Sequence, residues 1–557
     1  MDSPDLPQEQ SRKLALRVLG GAFAIGVTLA ALLASVRALR AVHVGTLWDD
    51  AYIFQRYASN VLAEHRVSWN LHGEPTYGMT TPAFLAVTAP ILAVFRSKPA
   101  LSAALASAIP GFVFLGLLGY LLLRHADVPR APRRAALGLV ALVVALSNTP
   151  DHFASGMDTT FGLAFAVVYL IAANRLSGAP SRARAVTLGV LGGLVYWVRP
   201  EMLLYSTLVP AALFALGGDR AVRRAGAEAL VVTALILGVE LGICQIYFGS
   251  ALPLPFYAKA TGLYGPHIAQ VYRGVTTVEL LAFLGGYWPL FAVVLLDAVV
   301  FARVRSAMGS PPHTTAFERG LQAATLLFIA YHWLLVIPVM HYASRFYQPT
   351  VPALAFLAAR ALGRFHRVFE RAWGADEGRL APVAAAAVAF LAYQAGTPLM
   401  IQGKDFFVAI KDRRWPELDL SRHAATEGPQ GYWYAIDRFM KLPDDLVIAT
   451  TEVGIPSMMS PKKTIVDIAG LNETEFAKKP FSAERLFARY EPDLIYMPHS
   501  VYPAMNKAIL AAPQFEGYDF YPRAELRTKD FGLAIRRDSK HYAAMVAVMR
   551  GKKPMQR

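Results

Sequence analysis

Two adjacent aspartates, Asp49 and Asp50, begin a stretch in which apolar and aromatic residues recur at helical spacing up to Tyr57. Such a pair can cap a helix and fill its first turn, where the helix dipole favours negative charge. It can also act as a general base, if partial burial raises the pKa of one carboxyl group towards the working pH. Two adjacent carboxylates suit Mg²⁺ or Mn²⁺ as well. The residue types therefore leave a structural role, proton transfer and divalent metal binding open.

Further charged residues recur between the apolar runs of the chain, in connectors that the pattern assigns to one membrane face. Arginine neutralises a phosphate leaving group bidentately, and a carboxylate takes the proton from an attacking hydroxyl, so this set suits transfer from a lipid phosphate. Glu240, inside an apolar run, is a weaker candidate, because a charge within a membrane normally faces a cavity or a partner. The connector residues are Asp151, His152, Asp158, Arg199, Glu201, Lys259, His341 and Arg345.

The elements that carry these residues are long apolar runs. The 557 residues are 55% hydrophobic and only 17% charged, too few charges for a soluble domain. A bilayer crossing needs about 20 apolar residues. The sequence predicts a polytopic α-helical membrane protein with about 11 transmembrane helices, at residues 14–36, 101–123, 135–149, 160–174, 185–198, 201–217, 226–248, 280–302, 319–339, 348–362 and 380–398.

Charge sets the predicted topology. Lys and Arg are concentrated in alternate connectors, from Arg12 and Lys13 to residues 360–379, so the positive-inside rule places the N-terminus in the cytoplasm. The net charge of +15 is thereby a topology signal, with no basic groove for nucleic acid. The shorter run 82–95, broken by Pro90, is predicted to lie at the interface. The first external loop is then residues 37–100, with juxtamembrane helices.

The predicted domains are a cytoplasmic tail (1–13), a transmembrane domain (14–398) and an external soluble α/β domain (399–557). Short apolar strands at 446–450, 464–468 and 494–497 support the last of these. Gly454 and Gly470 fit the turns that follow the first two strands. The single cysteine, Cys244, excludes an intramolecular disulfide.

At these positions the sequence resembles the GT-C class of membrane glycosyltransferases, and within it the bacterial and mycobacterial terminal β-(1→2) arabinofuranosyltransferase family. The resemblance spans nearly the whole chain and depends on the order and spacing of short motifs. These are Asp49-Asp50-Ala51-Tyr52-Ile53, Arg56-Tyr57, Asn60, Trp69-Asn70, Gly73-Glu74-Pro75, Tyr77-Gly78, Thr81-Pro82, Ser155-Gly156-Met157-Asp158-Thr159, Val198-Arg199-Pro200-Glu201, Pro255-Phe256-Tyr257-Ala258-Lys259, Arg345-Phe346, Val453-Gly454 and Asp467-Ile468-Ala469-Gly470-Leu471.

The resemblance implies an inverting enzyme that moves a sugar, arabinofuranose in the resembled family, from a polyprenyl-phosphate donor to a cell-envelope glycan. The transfer would take place at the outer face of a bacterial cytoplasmic membrane. The C-terminal domain would lie outside and help to bind the acceptor. Asp49 and Asp50 would be catalytic, and Arg199, Lys259 and Arg345 would hold the donor phosphate. The substrate-binding residues would be Tyr52, Arg56, Tyr77, Asp158, Glu201, Tyr257 and His341.

Other functions fit parts of the pattern. Another sugar, transferred to lipid A, O-antigen or protein, would need the same residue types. A multispan transporter or flippase would also be basic and apolar, but it should show inverted repeats and polar groups at the membrane midplane. A scaffold without catalysis would use the aspartates only as a helix cap.

Overall fold

The computed structural model describes residues 48–126, 128–260, 265–304, 315–336, 342–373, 438–498, 502–522 and 532–549. The predicted spans 14–36 and 380–398, and His341, lie outside these residues. Each of the other nine predicted spans overlaps a helix within its described residues. The helices up to residue 373 are α1 (Ala51–Glu64), α2 (Leu85–Val94), α3 (Pro99–Arg124), α4 (Arg130–Leu146), α5 (Thr159–Gly178), α6 (Arg182–Val198), α7 (Leu203–Leu216), α8 (Arg220–Phe248), α9 (Leu254–Ala260), α10 (Gly265–Val304), α11 (Ala316–Leu334) and α12 (Val351–Trp373).

Within the described residues, four helical segments are long and apolar enough to cross a membrane: Pro99–Arg124, Thr159–Gly178, Arg220–Phe248 and Val275–Val299. Along α8 the exposed apolar side chains Val231, Leu235, Val239 and Ile243 recur every four residues and form one stripe. Such a stripe suits contact with lipid. The helices support a membrane protein, whereas the count of about 11 crossings stays a prediction. The run 82–95 forms a short 3₁₀ turn and α2, which contains Pro90.

Contacts divide the chain into two compact units. Among the described residues, the first unit consists of Ser107–Leu237 and the described part of Val275–Trp415. The second unit consists of the described parts of Leu47–Ala106, Gly238–Gly274 and Pro416–Arg557. The second unit therefore contains most of the predicted external loop together with the C-terminal residues, while the predicted domain limits at 13, 398 and 399 stay a prediction.

In the first unit, small residues let neighbouring helices approach closely. A Cβ atom on Gly192 of α6 would lie 2.5 Å from the hydroxyl oxygen of Thr233, and one on Gly193 would lie 2.4 Å from the Cβ of Ile236. The side chains of Thr233 and Ile236 on α8 therefore pack directly against the backbone of α6, as small residues permit in membrane bundles.

A buried ion network joins three helices of the same unit. Arg364 of α12 donates from Nε to Asp297 of α10 at 3.0 Å and from Nη1 to Glu318 of α11 at 3.0 Å. Arg360 also donates to Glu318, at 2.6 Å from its Nε. Two carboxylates and two guanidinium groups compensate one another here, so their burial does not leave an isolated charge.

In the second unit, the C-terminal residues form a five-stranded sheet in the order β2-β1-β3-β5-β4. The strands are β1 (Val447–Thr450), β2 (Thr464–Asp467), β3 (Leu494–Tyr496), β4 (Tyr518–Pro522) and β5 (Gly532–Arg536). The first three are parallel, and β5 and β4 continue the sheet antiparallel. The helices of this region are α13 (Gly454–Met459), α14 (Thr474–Lys478), α15 (Ala483–Tyr490), α16 (Pro503–Ala511) and α17 (Tyr542–Val548). The predicted C-terminal α/β structure is confirmed, with β4 and β5 as further strands that the sequence did not predict.

Candidate active site

Asp49 and Asp50 immediately precede α1, in the second unit. The main-chain oxygens of Asp49 and Asp50 accept the first helical hydrogen bonds, from the amides of Tyr52 and Ile53 at 3.0 and 3.1 Å. Asp50 occupies the N-cap position, but its side chain makes no capping hydrogen bond. The side chain of Asp50 therefore does not cap α1.

The carboxylate of Asp49 lies against residues 451–455, the turn that leads from β1 into the first residues of α13. Its Oδ1 accepts a hydrogen bond from the amide of Ile455 at 2.8 Å, and its Oδ2 accepts one from the amide of Gly454 at 3.1 Å. A Cβ atom on Gly454 would lie 2.1 Å from the main-chain oxygen of Asp49. Position 454 therefore accepts only glycine while Asp49 keeps this place.

The electrostatic surroundings of Asp49 favour its protonated form. Burial raises the pKa of Asp49 to about 7, the hydrogen bond from Ile455 opposes this, and the charges of Asp50 and Glu452 raise it further. Burial likewise raises the pKa of Glu452, and the charge of Asp50 adds to that shift. Asp49 can thus gain and lose a proton near neutral pH, as a general base requires.

Glu452 is a residue of this site that sequence reasoning missed. It follows β1, between Thr450 and the Gly454 turn that the sequence did identify. The signal was available, because side chains at the carboxyl ends of parallel strands commonly form sites. Among the described residues, no group of three or more His, Cys, Asp or Glu side chains is arranged to hold a metal ion. Binding of Mg²⁺ or Mn²⁺ by Asp49 and Asp50 stays a prediction.

Tyr52 and Arg56 of α1 are completely buried. The guanidinium of Arg56 lies 4.9 Å from the ring centroid of Trp69. It donates to five uncharged acceptors: the main-chain oxygens of Trp69 (2.6 Å), Ser457 (2.5 Å), Ser460 (3.2 Å) and Lys463 (2.9 Å), and Oδ1 of Asn70 (2.7 Å). These contacts favour an architectural role for Arg56 in joining α1 to the C-terminal residues, while its substrate contact stays a prediction.

A buried polar network extends from Tyr57 of α1 into the C-terminal sheet. The hydroxyl of Tyr57 donates to Oδ1 of Asn472 at 3.1 Å. The carboxylate of Asp467 accepts hydrogen bonds from the amides of Ala469 (3.0 Å) and Asn472 (2.8 Å) and from the Asn472 side chain (2.9 Å). Burial nevertheless raises the pKa of Asp467 to about 7.

The second unit also contains Tyr77, Tyr257 and Lys259. Tyr77 is buried and stacks on Phe248, with ring centroids 4.8 Å apart. Lys478 of α14 places its ammonium group 5.5 Å from the ring centroid of Tyr257. Tyr257 and Lys259 lie on α9 and are half-buried. Their proposed contacts with sugar and phosphate stay predictions.

The other predicted ligands of the substrate meet in the first unit. Nη2 of Arg345 lies 3.2 Å from Oδ1 of Asp158, and Nη1 of Arg199 lies 3.6 Å from the same oxygen. Nε of Arg199 also donates to Glu201, at 2.7 Å. Asp158 is inaccessible to solvent, and Arg199 and Arg345 are buried. Two cations therefore converge on one shared carboxylate, although they are far apart in the sequence.

Local geometry explains the placement of these side chains. Asp158 directly precedes α5, and Arg199 is an extended residue between α6 and the 3₁₀ turn Pro200–Met202. Arg345 follows Ala343 and Ser344, whose φ angles of 48° and 56° are unusual for residues other than glycine. Ser344 is held there by Glu279 of α10, which accepts hydrogen bonds from its amide and hydroxyl at 3.2 and 3.1 Å.

Comparison with family models finds no match, and no curated protein matches the sequence. Among solved structures, the chain is similar to ArnT from Cupriavidus metallidurans bound to undecaprenyl phosphate, with 14% identity, a TM-score of 0.53 and coverage of 92% of this chain and 98% of that chain. Apo ArnT from the same organism gives 13% identity, a TM-score of 0.48 and coverage of 91% and 97%. A third structure is the archaeal oligosaccharyltransferase AglB from Archaeoglobus fulgidus, in complex with an inhibitory peptide and a dolichol-phosphate. It gives 14% identity, a TM-score of 0.48 and coverage of 92% of this chain and 74% of that chain. The first likeness supports the predicted GT-C-like fold.

Proposed function

We propose that this protein is a membrane glycosyltransferase that moves a sugar from a polyprenyl-phosphate donor to a cell-envelope glycan, with inversion at the anomeric carbon. The observation that carries the proposal is the site around Asp49, a carboxylate with a pKa near 7 that two main-chain amides hold in place. The fold shared with ArnT, whose structure contains undecaprenyl phosphate, supports the choice of donor.

In the proposed reaction, a hydroxyl oxygen of the acceptor attacks the anomeric carbon of the donor sugar. The proton of that hydroxyl passes to Asp49, while the bond from the anomeric carbon to the phosphate oxygen breaks and its electron pair leaves with the polyprenyl phosphate. The transition state is oxocarbenium-like, as in other glycosyl transfers. A positioned base contributes about 10²- to 10⁴-fold to such a step.

Arg199 and Arg345 are the proposed phosphate ligands in the first unit. Guanidinium groups suit this task, since they bind phosphate oxygens bidentately and stay charged when buried. Asp158 already holds both in place. A phosphate that reaches them would add negative charge beside two cations, which share Asp158 and of which Arg199 also pairs with Glu201. Lys259 is retained as a third proposed ligand.

Arabinofuranose is the donor sugar to test first, because the resembled family transfers it; another sugar passed to lipid A, O-antigen or protein is the alternative. We place the reaction at the outer face of the bacterial cytoplasmic membrane, with the N-terminus inside. The asymmetric distribution of Lys and Arg supports this orientation.

The test is glycosyl transfer by purified protein in nanodiscs, with a panel of polyprenyl-phosphate sugars and envelope glycans. Asp49→Asn and Asp50→Asn are assayed beside Glu516→Gln, which alters an exposed carboxylate of the same unit. We expect product from one donor, a loss of at least about 10²-fold in Asp49→Asn, and no change in Glu516→Gln. No product from any donor, with both aspartate variants as active in cells as the parent, would overturn the proposal in favour of a transporter or scaffold.

A further inference from the structure

The turn that leads from β1 into α13, residues 451–455, contacts both the carboxylate and the main chain of Asp49. Each of the two carboxylate oxygens of Asp49 accepts one main-chain hydrogen bond from this turn, from Gly454 and from Ile455. Two donors on two oxygens fix the plane of the carboxylate as well as its position. A carboxylate oxygen has two lone pairs, so each oxygen can still accept a proton or a further hydrogen bond.

The contact extends to the backbone of Asp49. The Cβ position of Gly454 lies 2.1 Å from the main-chain oxygen of Asp49, 2.5 Å from its carbonyl carbon and 2.5 Å from Oδ2. These distances are far below van der Waals contact, and two of the three atoms belong to the main chain, which cannot rotate away. Any side chain at 454 would therefore displace Asp49 itself.

We infer that this turn is a built-in part of the catalytic centre: Gly454 is a positioning residue that lets the amides of residues 454 and 455 orient Asp49 towards the acceptor hydroxyl. The C-terminal domain then supplies part of the catalytic geometry, beyond any role in binding the acceptor. The inference rests on the proposed function and deepens it, since it names a residue through which the domain acts on the transfer step.

The same turn also contributes a charge near Asp49. Glu452, two residues before Gly454, places a third carboxylate near Asp49 and Asp50. The ionisable neighbours of Asp49 in the described residues thus include Asp50 on its own segment, Tyr52 on α1 and Glu452 on the turn. A displaced turn would change both the orientation of Asp49 and this arrangement of charges.

The experiment compares Gly454→Ala with Gly517→Ala, a glycine of the same domain whose Cβ position meets no atom within 4 Å. A displacement of about 1 Å can lower the rate of a positioned reaction about 10²-fold. We expect kcat of Gly454→Ala to fall about 100-fold while the KM for the donor changes less than about twofold, and Gly517→Ala to match the parent.

A second pair separates positioning from general loss of structure. Gly454→Ala is also made in the Asp49→Asn background, where the base is already absent. If Gly454 acts through Asp49, the substitution lowers kcat no further there, since effects of residues that act as a unit are non-additive. An equal fall in kcat in both backgrounds would overturn the inference and leave the proposed function standing. If the unmodified protein transfers sugar from none of the donors, the proposed function is overturned, and the inference with it.

Discussion

The side-chain amide of Asn70 pairs with the main chain of Ile465 as a neighbouring β-strand would. Its Oδ1 accepts a hydrogen bond from the Ile465 amide at 2.9 Å, and its Nδ2 donates to the Ile465 carbonyl oxygen at 3.2 Å. Ile465 lies on β2, an edge strand of the sheet. A residue of the predicted external loop thus covers an edge that would otherwise expose unpaired main-chain groups.

Asn70→Ala is therefore expected to destabilise the second unit. The substitution removes the partner of the buried Ile465 amide and one acceptor of Arg56, at a cost of about 1–3 kcal/mol. The Ile465 carbonyl keeps the hydrogen bond from Nε1 of Trp69 at 2.8 Å. The measurement is the midpoint of thermal unfolding in detergent. Thr76→Ala is the control, because the Thr76 hydroxyl donates within its own turn, to the carbonyl of Glu74. An Asn70→Ala protein with the same melting temperature as Thr76→Ala would refute the edge-pairing role.

Arg56→Lys tests whether the buried guanidinium is architectural. Lysine has three donors on one atom and cannot reproduce the planar fork, so several carbonyl groups lose their partner. We expect a lower melting temperature and poor yield, corresponding to about 3 kcal/mol or more, and Arg56→Met to be worse. Arg66→Lys, at an exposed arginine that donates to Gly73, should be neutral. A stable Arg56→Lys protein with a raised KM for donor or acceptor would instead support the predicted substrate contact.

The long-range part of this architecture could not be predicted from the sequence. Short apolar runs predicted β1, β2 and β3, because such runs bounded by turn residues are typical of strands in parallel sheets. The strands β4 and β5 were missed, since Tyr518–Pro522 contains Asp and Pro and Gly532–Arg536 begins with Gly. Their pairing follows from the tertiary structure, which overrides weak local preference.

In the candidate site, too, the individual residues could be predicted from the sequence, whereas their long-range contacts could not. The pattern around Asp49 and Asp50 was enough to single them out. Their partners on the turn are 405 and 406 residues away in the chain, and no local spacing rule connects them. Likewise, Arg199 and Arg345 were recognised as cations, but their common contact with Asp158 depends on how α5, α6 and the turn before Arg345 pack.

The rate of transfer is expected to depend on pH through Asp49. A general base must be ionised to accept a proton, so transfer should increase as the pH rises through about 7, the pKa of Asp49. Glu452→Gln removes a neighbouring negative charge that raises this pKa, and the rising limb should move to lower pH. The measurement is kcat against pH, with Glu516→Gln as control. If the rising limb of kcat stays at the same pH in Glu452→Gln, Glu452 does not raise the pKa of Asp49.

Asp467 should make the stability of the second unit depend on pH. Its pKa is raised from 3.8 to about 7 by burial, so its stabilising contribution is complete below about 4 and is lost as the pH rises through about 7. Asp467→Asn stays neutral at every pH. The melting temperature of Asp467→Asn should therefore rise relative to that of the parent between about pH 4 and 7. Asp538→Asn, at an exposed carboxylate, should follow the parent, and parallel curves for parent and Asp467→Asn would contradict the shift.

Asp158→Asn tests the proposed phosphate site in the first unit. Asp158→Asn removes one negative charge that two buried arginines share, although Arg199 keeps its ion pair with Glu201. Breaking a buried ion pair costs about 3–5 kcal/mol. Undecaprenyl phosphate, as a bound anion, should restore part of this loss. We therefore expect the lipid to raise the melting temperature of Asp158→Asn more than that of the parent.

Glu318→Gln supplies the matched comparison for this experiment. Glu318 is also a fully buried carboxylate held by two arginines, Arg360 and Arg364, in the same unit. Its loss should be similarly destabilising, but no phosphate site is proposed there, so the lipid should shift Glu318→Gln no more than the parent. If the lipid stabilises both variants equally, it acts on the membrane bundle in general, and the assignment of Arg199 and Arg345 to the donor phosphate is wrong.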